Sequence, residues 1–337
     1  MPDLRVAVVG VGAMGADHVE RLSRRTKGAS VTVVYDADQA RAAEVAASCG
    51  ARAVASAEEA IRADDADAVL IASPGRFHHD QVLGCFELGR PVLCEKPLGV
   101  TAAEAYEIVQ TEARLPHPLL TVGFMRRYDP EYAALVTSLL EGELGEPILV
   151  NCKHRNPFAG GNTVDRAVVF DSAVHEVDVA RFLLGEEISA VRVVLPRPGP
   201  NAPAGLHDPM LILFTMESGR LVTDELYVAT GSGYEVRTEV LGSQGIATIG
   251  LGVSRVTTHL PGRVWGGPVD ADFRPRFAAA YDIEVQRWVD AVREERWVDE
   301  LAADAWDGYA AAAVCEATAA ALETGGAEVT VDLLPRP

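Results

Sequence analysis

The chain has 337 residues, of which 48% are hydrophobic and 23% are charged, a composition typical of globular proteins. This length exceeds the roughly 250–300 residues at which a single hydrophobic core stops growing, so we expect two domains. The 30 basic and 49 acidic side chains give a formal charge of −19, which argues against a nucleic-acid partner. The five cysteines occur singly, and we see neither a targeting pattern nor an apolar stretch approaching the ~18 residues of a membrane span. We therefore expect a cytoplasmic protein without membrane contact.

The first predicted elements form a dinucleotide-binding unit. An apolar strand over residues 4–9 leads into a complete G-x-G-x-x-G motif, and a helix follows to about residue 25. In this motif one glycine permits the tight turn, one lets a pyrophosphate approach the backbone, and one packs the helix on the strand. We therefore predict a cofactor site at the helix N-terminus, made by Gly10, Gly12, Ala13, Met14 and Gly15.

The residue that ends the second predicted strand, Asp36, indicates which dinucleotide binds. A carboxylate at this position bonds the 2′-hydroxyl of NAD and repels the 2′-phosphate of NADP. Residues 36–40 contain no arginine or lysine, and the nearest is Arg41. NAD is therefore the predicted cofactor, with NADP as the less favoured alternative.

Short apolar strands and helices alternate up to a strand at residues 119–123, which predicts one parallel sheet. The strand at 66–72 leads into Ser73-Pro74, and the strand at 91–94 leads into Glu95-Lys96-Pro97. Ligands in such sheets bind outside the carboxyl ends of the strands. We therefore expect five residues beside the cofactor: Ser73, Pro74, His78, Glu95 and Lys96. For His78, which opens a helix, a structural role is the alternative.

From residue 124 the pattern changes to a run of strands. After a helix to about residue 140, strands are predicted at 147–153, 188–195, 210–216, 221–228, 235–241, 247–249 and 253–259, and helices at 276–294 and 302–323. Turn residues between consecutive strands favour one open, mostly antiparallel sheet. We therefore predict an α/β protein with a dinucleotide-binding domain at residues 1–123 and a second, α+β domain at residues 124–337.

One predicted helix of the second half carries three ionisable residues at helical spacing. Asp171, His175 and Asp178 are four and three residues apart, which places them on one face of an α-helix. A divalent-metal site is one interpretation, but the pattern lacks further ligands. A helix start with Asp171 as N-cap is the second. The third is acid–base chemistry, in which a neighbouring carboxylate tunes the proton affinity of a histidine.

Seven stretches in chain order resemble the glucose–fructose oxidoreductase/inositol dehydrogenase/MocA family of NAD(P)-dependent oxidoreductases. They are residues 10–15, 95–97, 123–130, 153–157, 171–178, 233–235 and 280–284. The first three are shared across the family, whereas Lys153-His154-Arg155-Asn156-Pro157 and Gly233-Tyr234-Glu235 point towards its inositol dehydrogenases. The loop at residues 158–163 does not match the family pattern, which leaves the fine choice of substrate open.

The resemblance implies a Rossmann domain followed by a substrate-binding and oligomerisation domain, in a homodimer or homotetramer without a metal. It implies that the Lys96–Pro97 peptide is cis. It also implies catalytic roles for Lys96, Asp171 and His175, and substrate contacts from these residues and from Arg126, His154, Asn156 and Tyr234.

The implied reaction is NAD-dependent oxidation of a secondary hydroxyl of a cyclic polyol or sugar, with myo-inositol as the first candidate substrate. Another sugar or polyol dehydrogenase or reductase of the same family is one alternative. A dinucleotide-dependent sensor without turnover is the other.

Overall fold

The computed structural model describes residues 2–160, 163–250, 270 and 272–337. Two residues of the loop at 158–163 and the predicted strand at 253–259 lie outside the described residues. The chain divides into two compact units. The first contains residues 1–128, 279–313 and 333–337, and the second contains residues 129–278 and 314–332.

The first unit is built on a six-stranded parallel sheet with the strand order β3-β2-β1-β4-β5-β6. This is the strand order of a Rossmann sheet, in which the order of successive strands reverses between β1 and β4. The alternating elements are β1 (Leu4–Val9), α1 (Ala13–Arg24), β2 (Ala29–Tyr35), α2 (Gln39–Cys49), β3 (Arg52–Ala53), α3 (Ala57–Ile61), β4 (Ala68–Ile71), α4 (His78–Glu87), β5 (Val92–Glu95), α5 (Ala102–Glu112) and β6 (Leu120–Gly123). Short 3₁₀ helices occupy Gly75–Phe77 and Met125–Tyr128.

The central strands of this sheet are apolar on both faces because helices cover both. All residues of β4 and β5 are buried, as are all residues of β1 except Arg5. The strand ends therefore carry the polar residues, and the loops after β1, β4 and β5 lie at one edge of the sheet.

The second unit is built on a seven-stranded mixed sheet with the order β12-β11-β7-β10-β9-β8-β13. Its elements are α6 (Pro130–Leu140), β7 (Pro147–Arg155), α7 (Asp165–Val168), α8 (Val174–Leu184), β8 (Ile188–Val194), β9 (Met210–Met216), β10 (Leu221–Tyr227), β11 (Glu235–Gly242), β12 (Ile246–Ile249), α9 (Phe273–Arg276) and β13 (Val329–Thr330). The described pairs are antiparallel except for β7 with β10. The predicted α/β architecture with an open, mostly antiparallel second sheet is confirmed.

The compact units differ from the predicted division at residue 123, since residues 124–128, 279–313 and 333–337 belong to the first unit. These include all of α10 (Ala278–Arg293) except its first residue. Its apolar face places Val285, Trp288, Val289 and Val292 in one buried cluster with residues of β1 and α1. The sequence pattern predicts this apolar stripe, but a stripe does not specify which surface it covers. The last helix, α11 (Ala305–Glu323), contributes residues to each unit.

No helix in the described part of the chain is long and apolar enough to cross a membrane.

Candidate functional site

The three glycines of the loop after β1 have different surroundings. A Cβ atom on Gly10, whose φ is +88°, would lie 2.5 Å from the nitrogen of Ser73, and one on Gly15 would lie 1.8 Å from the oxygen of Gly10. A Cβ on Gly12 would meet nothing closer than a guanidinium nitrogen of Arg41 at 3.8 Å. Gly10 and Gly15 are therefore required by the packing of the loop, whereas Gly12 leaves open space where α1 begins.

This open space fits a dinucleotide pyrophosphate. Gly12 is the N-cap of α1 and has no side chain with which to cap it, so the first backbone N–H groups of the helix suit an anion. The predicted contacts Ala13 and Met14 form the first turn, where Ala13 is exposed and Met14 is half-buried.

Asp36 is held at the end of β2 by the backbone. Its Oδ2 accepts a hydrogen bond from the Val11 N–H at 2.9 Å, and its Oδ1 accepts one from the Asp38 N–H at 2.9 Å. Arg41 lies 3.7 Å from the same carboxylate, which is half-buried. A carboxylate oxygen has more than one acceptor site, so the anchored group can still receive ribose hydroxyls.

The ends of β4 and β5 carry the other predicted cofactor contacts. Ser73 is half-buried, its hydroxyl donates to Oε1 of Gln81 at 2.7 Å, and Pro74 is exposed. Lys96 is half-buried, and the Lys96–Pro97 peptide is cis, as the resemblance implies. These side chains lie at the carboxyl edge where ligands of such sheets bind.

His78 is buried, and both of its ring nitrogens face backbone carbonyls. Nδ1 lies 2.8 Å from the Pro97 oxygen and Nε2 lies 2.7 Å from the Ser73 oxygen. Burial lowers the pKa of His78 below its ordinary value, although both carbonyls and Glu95 oppose that shift. The structural role that the sequence left open for His78 is thus observed, whereas its contact with the cofactor stays a prediction.

In the second unit, His154 and Tyr234 come together at one end of the sheet. His154 lies on β7 and pairs with Leu226 of β10 and Val236 of β11, and Tyr234 directly precedes β11. The His154 and Tyr234 rings are 5.8 Å apart in an edge-to-face arrangement, and both residues are buried. This end of β7 therefore groups two of the predicted substrate contacts.

A buried carboxylate supports His154. Nδ1 of His154 lies 3.1 Å from Oε2 of Glu176, and the two residues are 3% and 0% exposed. The His154 ring also lies 6.3 Å from that of His175, so α8 contributes both Glu176 and His175 to the surroundings of His154. Glu176 is a residue that sequence reasoning missed, although its position beside a predicted catalytic histidine was available as a signal.

The backbone beyond His154 is fixed by the neighbouring strands. Asn156 donates its N–H to the Tyr227 oxygen at 3.0 Å and accepts from the Thr230 N–H at 3.0 Å. Arg155, directly before it, bonds the carboxylates of Glu225 and Glu235 on the two flanking strands. The predicted substrate contact Asn156 is thus held close to the end of the sheet.

The segment around Asp171 is a π-helix, Val169–Ala173, enclosed between α7 and α8. Asp171 is therefore inside a continuous helical stretch, and the interpretation that it caps a helix is wrong. The π turn departs from the regular α-helical spacing that the prediction assumes, so the shared face of Asp171, His175 and Asp178 stays a prediction. Asp171 is exposed, whereas His175 and Asp178 are buried.

Arg126 is buried in the first unit, with 1% of its surface exposed, in the 3₁₀ helix after β6. Its role as a substrate contact stays a prediction. Among the described residues no group of three or more histidine, cysteine, aspartate or glutamate residues is arranged to hold a metal ion.

Two family models match the chain in sequence. One, described as an oxidoreductase family with an NAD-binding Rossmann fold, matches residues 4–124, and the other, the GFO/IDH/MocA C-terminal domain, matches residues 132–248. The chain belongs to the GFO/IDH/MocA oxidoreductase family. Its cofactor is NAD, the dinucleotide of the family's N-terminal domain.

Relatives within this family match nearly the whole chain. An inositol 2-dehydrogenase of Rhodococcus erythropolis is 50% identical over 337 residues, covering 99% of this chain and 97% of the relative. An inositol 2-dehydrogenase of Mycolicibacterium smegmatis is 51% identical, covering 87% of this chain and 85% of the relative. A crystal structure of myo-inositol dehydrogenase from Lactobacillus casei with NAD(H) and myo-inositol has a TM-score of 0.92 at 30% identity, covering 99% of this chain and 98% of that one.

Proposed function

We propose that the protein catalyses the NAD-dependent oxidation of a secondary hydroxyl of myo-inositol to give 2-keto-myo-inositol. The observation that carries the proposal is about 50% identity over nearly full length to relatives named inositol 2-dehydrogenase. The chain also retains Lys96, Asp171 and His175, the residues that the resemblance marks as catalytic. A sensor without turnover would have no use for this proton-transfer set.

The proposed roles follow from the balance of the reaction. Oxidation of the alcohol removes one hydride from carbon and one proton from oxygen, and NAD, when bound, accepts the hydride at the nicotinamide ring. His175 is the general base that accepts the hydroxyl proton, and Asp171 orients its ring and stabilises the protonated form. Lys96 donates a hydrogen bond to the reacting oxygen and stabilises the negative charge that develops there.

The other hydroxyls of a polyol both donate and accept hydrogen bonds, so they require partners of mixed character. His154, Asn156 and Tyr234 supply ring nitrogens, an amide and a phenol, which can donate or accept as each hydroxyl requires. The Glu176 carboxylate beside Nδ1 of His154 fixes a proton on that nitrogen and leaves Nε2 as the acceptor in the neutral ring. In this proposal His154 therefore receives a substrate hydroxyl proton in a hydrogen bond, and Arg126 is the further predicted contact.

We also propose that the protein is a homo-oligomer, in which the open sheet of the second unit forms the contact. Alternate residues of β9, β10 and β11 are buried, and the residues between them are half-buried or exposed. Apolar side chains on the more exposed face of this sheet include Leu221 and Val194, which are 45% and 43% exposed. Exposed apolar groups on a broad surface support a subunit contact. Light scattering of the purified protein tests this proposal, and a monomeric mass would contradict it.

NADH absorbance followed across a panel of inositol isomers, other polyols and sugars tests the proposed function. We expect the highest kcat/KM with NAD and myo-inositol, and a different best substrate would replace myo-inositol with another family activity. NAD binding without turnover on any compound would favour the sensor.

Lys96→Ala tests the assignment of the catalytic lysine. We expect kcat to fall by about two orders of magnitude or more, since electrostatic stabilisation of a developing oxyanion is lost, while NAD still binds. Lys27→Ala, at an exposed lysine of the same unit, is the matched control and should retain wild-type turnover. Near wild-type activity of Lys96→Ala would remove the residue from the mechanism.

A further inference from the structure

A buried histidine holds the residue that precedes Lys96. His18 lies in α1 with 0% of its surface exposed, and its Nε2 is 2.8 Å from Oε1 of Glu95. Glu95 is itself 7% exposed and is the last residue of β5. The carboxylate is therefore fixed by a partner from another element, immediately before the chain leaves the sheet at Lys96.

The surroundings of Nδ1 indicate which ring nitrogen of His18 carries the hydrogen. Nδ1 is buried and has no hydrogen-bond partner among the residues that the structure describes. A protonated Nδ1 would leave an unpaired donor on a charged ring away from water, which costs more than an unused lone pair. We therefore assign the tautomer in which Nε2 carries the hydrogen and donates it to Glu95.

A second buried histidine holds the residue that follows Lys96. His78 is 1% exposed, and its ring lies between the Pro97 oxygen at 2.8 Å and the Ser73 oxygen at 2.7 Å. Carbonyl oxygens only accept, so the neutral ring donates to one of them and the protonated ring donates to both. The ring thus ties the backbone after Lys96 to the end of the neighbouring strand β4.

Space around this segment is also restricted. Gly123 pairs with Glu95 across β5 and β6, and a Cβ at Gly123 would lie 3.2 Å from both Cα and Oε2 of Glu95. A Cβ on Gly75 would lie 3.1 Å from Cγ of Pro97. The two neighbours of Lys96 are therefore fixed by hydrogen bonds and enclosed by close backbone contacts, on both sides of one catalytic candidate.

We propose that His18 and His78 are positioning residues for Lys96, which hold Glu95 and Pro97 so that the lysine keeps its place at the edge of the sheet. This inference rests on the proposed function, in which Lys96 stabilises the reacting oxygen. Neither histidine contacts the substrate in this scheme. Their contribution is large because a displacement of about 1 Å at a reacting centre costs about 100-fold in rate.

Leucine variants of the two histidines test the proposal through a split between rate and binding. His18→Leu and His78→Leu should lower kcat with NAD and polyol by about tenfold or more. His18→Leu, at a residue outside the predicted cofactor contacts, should change the Kd for NAD by less than about threefold. His18→Gln, whose side-chain amide also donates, should recover most of the rate. Val19→Ala, a buried neighbour in α1, and His79→Gln, a neighbour in α4, are the controls and should keep wild-type kcat. A leucine variant that fails to fold is replaced by the methionine variant, which fills a similar volume with a flexible chain.

A double-mutant cycle shows whether the histidines act through Lys96. In a Lys96→Ala background, His18→Leu and His78→Leu should cause no further loss of kcat, because the group that they position is absent. Equal fractional losses in the wild-type and Lys96→Ala backgrounds would overturn the proposal. Unchanged kcat in both leucine variants of an active enzyme would also overturn it. Wild-type protein that binds NAD and oxidises no polyol would instead overturn the proposed function.

Discussion

Alanine substitutions at Gly12 and at Gly15 test different properties of the glycine loop, although each change adds one methyl group. A Cβ added at Gly15 would lie 1.8 Å from the Gly10 oxygen, against the 3.0 Å that real Cβ contacts respect, so the Gly10 carbonyl and α1 must separate by at least the difference of 1.2 Å. Overpacking of this kind costs about 1–3 kcal/mol. For a unit of this size, each kcal/mol corresponds to about 2–4 °C in melting temperature. Gly15→Ala should therefore lower the melting temperature by about 2–12 °C.

Gly12→Ala should instead weaken NAD binding and leave the melting temperature nearly unchanged. The φ of Gly12 is −65°, which alanine adopts without strain, and the nearest atom to the added Cβ is 3.8 Å away. The melting temperature without ligand should stay within about 2 °C of wild type, as for other substitutions that disturb no packing. The methyl group would, however, occupy the space proposed for the pyrophosphate. A steric cost of about 1–3 kcal/mol corresponds to NAD binding that is about 5–150-fold weaker.

Thermal melting without ligand and calorimetric titration with NAD separate the two effects. The expected pattern is a fold defect in Gly15→Ala and a binding defect in Gly12→Ala. Wild-type affinity for NAD in a folded Gly12→Ala protein would refute the placement of the pyrophosphate over Gly12. A drop in melting temperature equal to that of Gly15→Ala would refute the inference that the space beside Gly12 is open.

Three further changes test other parts of the two units. Asp36→Asn keeps an acceptor for the Val11 N–H but removes the charge that opposes a 2′-phosphate. The ratio of kcat/KM for NAD over NADP should therefore fall about tenfold or more. An unchanged ratio would assign cofactor choice to other residues. Glu176→Gln should raise the KM for the polyol and lower kcat/KM about tenfold, because a neutral amide fixes the His154 proton less firmly. Wild-type kinetics would show that the Glu176 carboxylate does not support His154 in substrate binding. Burial raises the pKa of Glu112, so its protonated form is favoured by folding, and that stability is lost as pH rises through the folded-state pKa. Glu112→Gln should therefore raise the melting temperature at about pH 7 and leave it nearly unchanged at about pH 4, and no gain at neutral pH would contradict this sign.

The dinucleotide-binding half of the fold could be predicted because its signals are local. Each strand is a short apolar run bounded by turn residues, and the glycine motif specifies a strand, a turn and a helix in sequence. The strand predicted at residues 210–216 in the second half matches Met210–Met216 for the same reason, since buried and half-buried residues alternate along it. The boundaries of these elements could therefore be predicted from the sequence to within one or two residues.

Features that depend on contacts between distant segments could not be predicted from the sequence. The parallel pairing of β7 with β10 joins strands separated by two other strands in the chain, and nothing in either strand specifies its neighbour. The placement of α10 in the first unit similarly depends on which surface covers its apolar stripe. The π-helix around Asp171 departs from regular α-helical geometry. A spacing argument assumes regular geometry and cannot detect such a turn.

The same limit applies to the candidate site. Lys96 could be singled out from a strand end, a proline and a resemblance, which are all properties of its own segment. The residues that hold its neighbours could not, because His18 lies 77 residues from Glu95 and His78 lies 19 residues from Pro97. A histidine inside an amphipathic helix has the same sequence pattern whether it fills the core or fixes a catalytic strand end. Only the contacts in the folded protein distinguish these two cases. The double-mutant cycle with Lys96→Ala tests whether the contacts of His18 and His78 affect turnover through Lys96.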